Sequence, residues 1–218
     1  MMTTSNNDVV VGIDLGGTKV LIGVITADNS VLSRYKASTQ THHEPETLLK
    51  AIATGVHTAV EKAQIPWSAV RAVAMGIPGP IDAATGTVKL APNLGWNNVP
   101  AREILEHELE IPVGIDNDVR VATLSEFYLG AGRGHRRVVS FFIGTGIGGG
   151  LIIDGEVYTG AHNTAGEIGH TFVKAGGPLC GAGHRGCLEA VASRTAMQRD
   201  ILTAVKRGKN TTPKDDDF

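Results

Sequence analysis

Features that mark several protein classes are missing from these 218 residues. No apolar run approaches the roughly 20 residues of a membrane-spanning helix. The opening residues lack the basic segment and apolar core of a secretory signal. The formal net charge is only −2, so no broad basic surface invites nucleic acid or an anionic membrane. We therefore expect a cytoplasmic protein that binds neither nucleic acid nor membrane.

Cysteine is also scarce, since Cys180 and Cys187 are the two thiols of the chain. With glycines between them, they could bind a metal ion or form a disulfide. Because no secretory signal is recognised, we expect a reducing compartment, which favours a metal or free thiols over a disulfide.

Glycine is the abundant residue, at 28 of 218 positions, or about 13% against an average near 7%. The glycines cluster in short loops beside apolar runs. Because glycine lets a backbone approach a ligand closely, these loops are candidate binding elements.

The apolar pattern predicts an α/β protein in which antiparallel hairpins are mixed into a parallel sheet. A strand, a glycine turn and a strand open the chain, and apolar residues recur at helical spacing over residues 45–64. We expect a loop over residues 90–98 and one long helix from about residue 187 to residue 205. The strand–glycine–strand pattern restarts at Arg136, which resembles an internal duplication.

A lobe boundary is placed between residues 116 and 117, giving an N-terminal lobe of residues 1–116 and a second lobe of residues 117–218. Asp116, Asn117 and Asp118 stand at this boundary, where a buried strand ends and a helical pattern begins. Asn and Asp are strong N-cap residues, so capping is one explanation. The other is a carboxylate aimed as a base into a cleft between lobes, where ligands commonly bind.

Two glycine turns join pairs of apolar strands. The second of them matches G-x-G-x-x-G at Gly144, Gly146 and Gly149, but a β-hairpin follows it instead of the helix that a dinucleotide site requires. We therefore interpret both turns as hairpins whose backbone N–H groups can point at phosphate oxygens. The first glycine turn (residues 14–19) offers Asp14, Gly16, Gly17, Thr18 and Lys19, with Asp14 a candidate for Mg²⁺. The second glycine turn (residues 144–146) offers Thr145 and Gly146.

The stretches DLGGTK, APNLGW, NDVRVATLSE, GTGIGGGLIIDG, GEIGH and GCLEA occur in an order that resembles the ROK family of bacterial-type glucokinases, sugar kinases and sugar-responsive repressors. The resemblance covers about residues 8–205. It implies a two-lobed actin-like ATPase (ribonuclease H-like) fold with a duplicated mixed sheet. The implied activity is ATP-dependent phosphorylation of a hexose, with glucose to glucose 6-phosphate, a step of glycolysis, as the first candidate.

By this resemblance Asp118 is the catalytic base, and ATP with Mg²⁺ is bound by the two glycine turns. The implied sugar ligands are Asn93, Asn117, Asp118, Glu167, His170 and Glu189. Sugar hydroxyls suit such residues, because Asn both donates and accepts while carboxylates accept strongly. A homodimer is also expected.

Two departures from the family pattern stand out. The zinc-binding version has a His followed by C-x-C-G-x-x-G-C, but Ala182 stands where the middle Cys is expected. His170, Cys180 and Cys187 then supply three zinc ligands where four are usual, with His184 a fourth from a different position. The family also runs well past residue 208, so we expect a partial chain whose nucleotide site is open on the adenine side.

Three interpretations are therefore compared: a hexose kinase, a sugar-binding regulator of the same family, and an inactive truncated kinase fragment. A regulator should carry an N-terminal helix-turn-helix, and only seven polar residues precede the first predicted strand. Glucose, mannose, fructose, N-acetylglucosamine and N-acetylmannosamine all remain open as substrates, as does polyphosphate as donor.

Overall fold

A computed structural model describes residues 8–40 and 44–209, in two compact units, Met1–Ala122 and Thr123–Phe218. The expectations for residues 1–7 and for the polar tail after residue 209 lie outside the described residues. The lobe boundary between residues 116 and 117 stays a prediction. Within the two described ranges, no helix is both long enough and apolar enough to cross a bilayer.

Strands dominate the first unit, with helices packed beside them. In chain order its elements are β1 (Val9–Leu15), β2 (Lys19–Thr26), β3 (Val31–Ser38), α1 (Pro45–Lys62), β4 (Val70–Ile77), β5 (Ile81–Asp82), β6 (Thr87–Ala91), β7 (Trp96–Val99), α2 (Ala101–Leu109), β8 (Val113–Asn117) and α3, which begins here and spans Asp118–Leu129.

A five-stranded mixed sheet has the order β3-β2-β1-β4-β8. β1 pairs with β2, and β2 with β3, in antiparallel hairpins, whereas β1–β4 and β4–β8 are parallel pairs. Alternate residues of β1 (Val9, Val11, Ile13 and Leu15) are buried, because successive side chains of a strand point to opposite faces. α1 packs against β2 and β3. The predicted mixture of parallel pairing and antiparallel hairpins is confirmed.

The stretch 90–98 is not the loop that the sequence predicted. It holds the end of β6 and most of β7, paired antiparallel with each other, and a 3₁₀ turn, Pro92–Leu94, joins them. Trp96 is almost fully buried, so this stretch contributes to the core despite its polar residues. Gly95 at φ +69° permits the reversal.

The second unit continues α3 and adds β9 (Val138–Ile143), β10 (Ile147–Ile153), β11 (Glu156–Val157), α4 (Leu188–Ala192) and α5 (Arg194–Lys206). Its strands form an antiparallel sheet in the order β11-β10-β9. Asp154 and Gly155, with φ of +54° and +92°, make the predicted hairpin turn between β10 and β11.

The long helix predicted from residue 187 to residue 205 is interrupted. Ser193 lies outside helical geometry at ψ 161°, and its hydroxyl accepts a hydrogen bond from the backbone N–H of Ala196. A serine that satisfies a free N–H in this way begins a new helix. Continuous helical periodicity in the sequence therefore spans two helices, α4 and α5.

Candidate functional site

The three polar residues at the end of β8 have separate structural roles. Asn117 caps α3, because its Oδ1 accepts hydrogen bonds from the backbone N–H groups of Val119 (3.1 Å) and Arg120 (3.2 Å). Its Nδ2 donates to the carbonyl of Gly79 at 3.2 Å. Asp116 forms an ion pair with the buried guanidinium of Arg120 at 3.1 Å. Capping and charge pairing thus account for Asp116 and Asn117.

Asp118 is the first residue of α3, immediately after the strand. Its Oδ1 accepts a hydrogen bond from the N–H of Val119 at 2.9 Å. The neighbouring strand β4 carries Gly76 at this level, and a Cβ at Gly76 would lie 3.3 Å from the Asp118 Cα. The absence of a side chain at Gly76 therefore lets Asp118 lie close to β4, and the carboxylate lies at the carboxyl end of the parallel strands.

The first glycine turn lies against Asn93. A Cβ placed on Gly17 would come within 3.1 Å of the Asn93 Cβ and 3.3 Å of its carbonyl oxygen. The turn is closed by a hydrogen bond from the Gly16 N–H to the Lys19 carbonyl at 2.9 Å. Thr39 at the end of β3 donates its hydroxyl to the Gly16 carbonyl at 3.3 Å. Asp14 is exposed just before the turn.

A cavity of about 540 Å³ lies where this turn meets the Asn93 loop. Gly17, Asn93 and Gly95 line it, together with Thr39 and Gln40. Amide and hydroxyl groups that both donate and accept hydrogen bonds suit a polyhydroxylated ligand. The structure thus brings together, in the first unit, a predicted phosphate-binding turn and a predicted sugar ligand.

Glu189 contacts the end of the second glycine turn. The Ile147 N–H donates to the Glu189 Oε2 at 3.1 Å, although the two residues are far apart in sequence. A Cβ on Gly146 would lie 2.3 Å from this same oxygen. Glu189, predicted as a sugar ligand, therefore also supports the turn that carries Thr145.

The start of α5 also contacts the second glycine turn, which sequence reasoning missed. The Arg194 N–H donates to the Gly144 carbonyl at 2.9 Å. The Arg194 guanidinium Nη2 donates to the Thr145 hydroxyl at 3.3 Å, and the Thr195 hydroxyl donates to the Thr145 carbonyl at 2.8 Å. No motif signals these contacts, since they join residues about 50 positions apart in the sequence.

The GEIGH stretch is packed tightly against β10. A Cβ on Gly169 would lie 2.0 Å from the Ile147 carbonyl oxygen, so glycine is required for the close approach. A short 3₁₀ turn, Ile168–His170, results. Glu167 Oε2 lies 4.0 Å from His170 Nε2. The two predicted sugar ligands Glu167 and His170 are therefore neighbours on one rigid turn.

Four residues form what we call the Cys/His cluster: His170, Cys180, His184 and Cys187. Their ligand atoms all lie within 4.8 Å of one another, and Cys180 Sγ is 3.8 Å from His170 Nδ1. The loop between the cysteines folds back on itself, because the Cys180 N–H donates to the His184 carbonyl at 2.7 Å. This reversal brings His184 to the cysteines.

The two thiols of the cluster differ in acidity. Burial raises the pKa of Cys180, but backbone N–H groups of His184 and Ala182, with Cys187 and His170, lower it to about 7 overall. Burial also raises the pKa of Cys187, and the neighbouring Cys180 and the charge of Glu189 raise it further. The cluster thus holds one thiol that ionises readily, as a metal ligand must.

The donor set of the Cys/His cluster fits zinc. Structural Zn²⁺ takes four Cys or His ligands in a tetrahedron, with bonds of about 2.0–2.3 Å, and such donors lie about 3.3–3.8 Å apart. The observed limit of 4.8 Å requires only a small contraction. The three ligands predicted from the sequence, His170, Cys180 and Cys187, do lie together, and His184 is the fourth member of the cluster.

Comparisons with known proteins identify the family and the fold. A model of the ROK family matches residues 10–215. Glucokinase from Thermotoga maritima is 36% identical over 198 residues, which make up 90% of this chain and 61% of that protein. The xylose repressor of Caldicellulosiruptor bescii is 35% identical over 205 residues, 93% of this chain and 51% of the repressor.

The crystal structure of a ROK family glucokinase from Streptomyces griseus, in complex with glucose and AMPPNP, has a TM-score of 0.79 to this chain at 35% identity. The alignment covers 91% of this chain and 62% of that one. The predicted fold class, an α/β actin-like ATPase fold, is confirmed by this similarity. The chain spans less than two thirds of the length of these relatives.

Proposed function

The chain belongs to the ROK family, as the sequence predicted, and we propose that it transfers a phosphoryl group from ATP to a hexose, with glucose as the first candidate. One observation carries the proposal: Asp118 is the first residue of α3 and lies at the carboxyl end of the parallel strands β4 and β8.

Asp118 is the general base in this proposal. As a sugar hydroxyl oxygen forms a bond to the γ-phosphorus of ATP, the bond from that phosphorus to the β–γ bridging oxygen breaks and ADP leaves. The hydroxyl proton passes to the Asp118 carboxylate. Phosphoryl transfer depends on positioning and charge neutralisation, and a carboxylate that accepts the proton adds roughly 10²–10⁴-fold.

The remaining predicted site residues bind and orient. Gly16, Gly17, Thr18 and Lys19 of the first glycine turn, with Thr145 and Gly146 of the second, would contact the ATP phosphates, and Asp14 would hold Mg²⁺ directly or through water. Mg²⁺ neutralises phosphate charge when bound. The sugar hydroxyls would be bound by Asn93, Glu167, His170 and Glu189, and by the Nδ2 group of Asn117, whose Oδ1 serves the cap.

Zinc is the metal we propose for the Cys/His cluster, with His170, Cys180, His184 and Cys187 as its ligands. His170 lies 3.8 Å from Cys180 through Nδ1 and 4.0 Å from Glu167 through Nε2. A metal on Nδ1 would therefore fix the ring that presents Nε2 beside Glu167. In this proposal zinc has a structural role. We also propose that the protein is a cytoplasmic homodimer that acts in carbohydrate metabolism.

The test is a coupled assay of ADP formation across glucose, mannose, fructose, N-acetylglucosamine and N-acetylmannosamine. Asp118→Asn should lower kcat by roughly 10²–10⁴-fold and leave the Kd for the sugar within several-fold. Asp200→Asn, which removes an exposed carboxylate of α5, is the matched control and should keep full activity. If Asp118→Asn kept more than half the rate, Asp118 would be only a helix-terminal residue.

A second candidate is a sugar-binding regulator, and the similarity to the C. bescii xylose repressor favours it. The same panel distinguishes the two candidates. A regulator would show sugar-dependent thermal stabilisation with no ADP formation by the unmodified protein. Turnover with any sugar of the panel would exclude this candidate as the sole function.

A further inference from the structure

We propose that Arg194 binds the terminal phosphates of the phosphoryl donor and that Thr195 is a positioning residue for the second glycine turn. The inference rests on the proposed function for the identity of the donor. It adds two residues to those that the sequence predicted. Both belong to the first turn of α5, directly after the capping residue Ser193.

Two helices hold the second glycine turn. From α5, the Thr195 hydroxyl donates to the Thr145 carbonyl at 2.8 Å, and the Arg194 N–H donates to the Gly144 carbonyl at 2.9 Å. From α4, Glu189 accepts from the Ile147 N–H, which directly follows the turn. These hydrogen bonds use two carbonyl oxygens of the turn and the N–H of Ile147. They fix the backbone conformation of the turn and therefore the position of Thr145.

The Arg194 guanidinium lies beside the predicted phosphate contact. Its Nη2 group is 3.3 Å from the Thr145 hydroxyl in an exposed position. A guanidinium presents five N–H donors and binds phosphate oxygens in a bidentate manner, so the single bond to Thr145 leaves donors for a ligand. A hydroxyl that accepts from Arg194 keeps its own proton to donate to the same phosphate.

Charge supports the assignment. The chain carries a formal net charge of −2, and the carboxylate of Glu189 lies close to Gly146 of the turn. Bringing a polyanionic phosphate to a turn backed by a carboxylate requires a cation close by, because like charges at short distance repel. Arg194 is the basic side chain with a hydrogen bond to this turn among the described residues of the second unit.

The first experiment measures phosphate binding without turnover. Titration calorimetry with inorganic tripolyphosphate, and with Mg²⁺ and AMPPNP, compares the unmodified chain with Arg194→Gln, Arg194→Lys and Arg207→Gln. Hydrogen bonds to charged groups are worth about 1.5–3 kcal/mol, so Arg194→Gln should weaken binding by roughly tenfold or more. Arg194→Lys should retain part of the affinity. Arg207→Gln removes the same charge from the end of the same helix and should change binding less than twofold.

The second experiment separates positioning from general stability. Thr195→Val keeps the shape of the side chain and removes its hydroxyl, whereas Thr195→Ser keeps the hydroxyl. We expect Thr195→Val to raise the KM for ATP by about 2- to 10-fold, with the KM for the hexose unchanged. Thr195→Ser should restore the unmodified value.

Each outcome decides the inference. Equal effects of Arg194→Gln and Arg207→Gln, no binding of tripolyphosphate by the unmodified chain, or equal KM changes for ATP and hexose would overturn it. Tripolyphosphate binding that depends on Arg194, in a chain that phosphorylates no sugar, would support the inference while refuting the proposed function. Phosphorylation of a sugar, with an ATP affinity that Arg194→Gln does not change, would support the proposed function and refute the inference.

Discussion

Removal of His184 is the sharpest test of the Cys/His cluster. His184→Ala leaves His170, Cys180 and Cys187, which are three of the four donors that lie within 4.8 Å of one another. Structural zinc sites are worth about 10–16 kcal/mol for a complete ligand set, so one ligand of four accounts for about 3 kcal/mol. The zinc affinity of the variant should therefore fall by roughly 100-fold.

This loss of affinity has a measurable effect on stability. Under zinc concentrations that saturate both forms, a 100-fold weaker site lowers the free energy of unfolding by about 2.7 kcal/mol. For a protein of this size 1 kcal/mol corresponds to about 2–4 °C, so the Tm should fall by about 5–10 °C. His162→Ala, at an exposed histidine of the same unit, is the matched control and should change neither zinc content nor Tm.

A second substitution should restore the site. The zinc-binding version of the family pattern has its middle Cys at position 182, where this chain has Ala182. In the double variant Ala182→Cys with His184→Ala, a thiolate can replace the lost imidazole, and the zinc affinity should return toward that of the unmodified chain. Unchanged zinc affinity and Tm in His184→Ala alone would refute the assignment of His184 as a ligand.

Two further predictions concern packing. Gly169→Ala forces a methyl group onto the Ile147 carbonyl oxygen, at 2.0 Å before relaxation, and should destabilise the protein by about 1–3 kcal/mol in urea unfolding. Gly144→Ala meets no atom within 4 Å and should cost clearly less, so equal losses would contradict the packing argument. Ser193→Ala removes the cap of α5 and should cost about 0.5–2 kcal/mol. Ser193→Thr keeps a hydroxyl that can accept from the Ala196 N–H and should therefore retain most of the stability. Equal losses for Ser193→Ala and Ser193→Thr would show that this hydrogen bond is unimportant.

Local sequence signals predicted the elements well because their causes are local. Apolar alternation in β1 and the Asp154–Gly155 turn depend on residues within a few positions. The same signals were wrong at residues 90–98, where Trp96 packs into the core and turns a polar stretch into two paired strands. They also missed the break at Ser193, because helical periodicity continues across it.

The roles of the site residues depended on contacts that no spacing encodes. Asp116 and Asn117 are adjacent in the sequence, and the structure shows that Asp116 pairs with Arg120 whereas Asn117 caps α3. The spacing of His184 differs from that of the family pattern, and the reversal of the loop brings it beside Cys180.

The sequence by itself therefore determined the α/β pattern and the glycine turns, because periodicity and turn residues are local signals, and its ordered motifs carried the resemblance to the ROK family. Only the tertiary structure decided which of the candidate residues meet. Glu189 and Thr195 reach the second glycine turn across 42 and 50 positions of sequence. Contacts over such separations follow from the packing of whole elements, and packing is a property of the folded chain rather than of any local stretch.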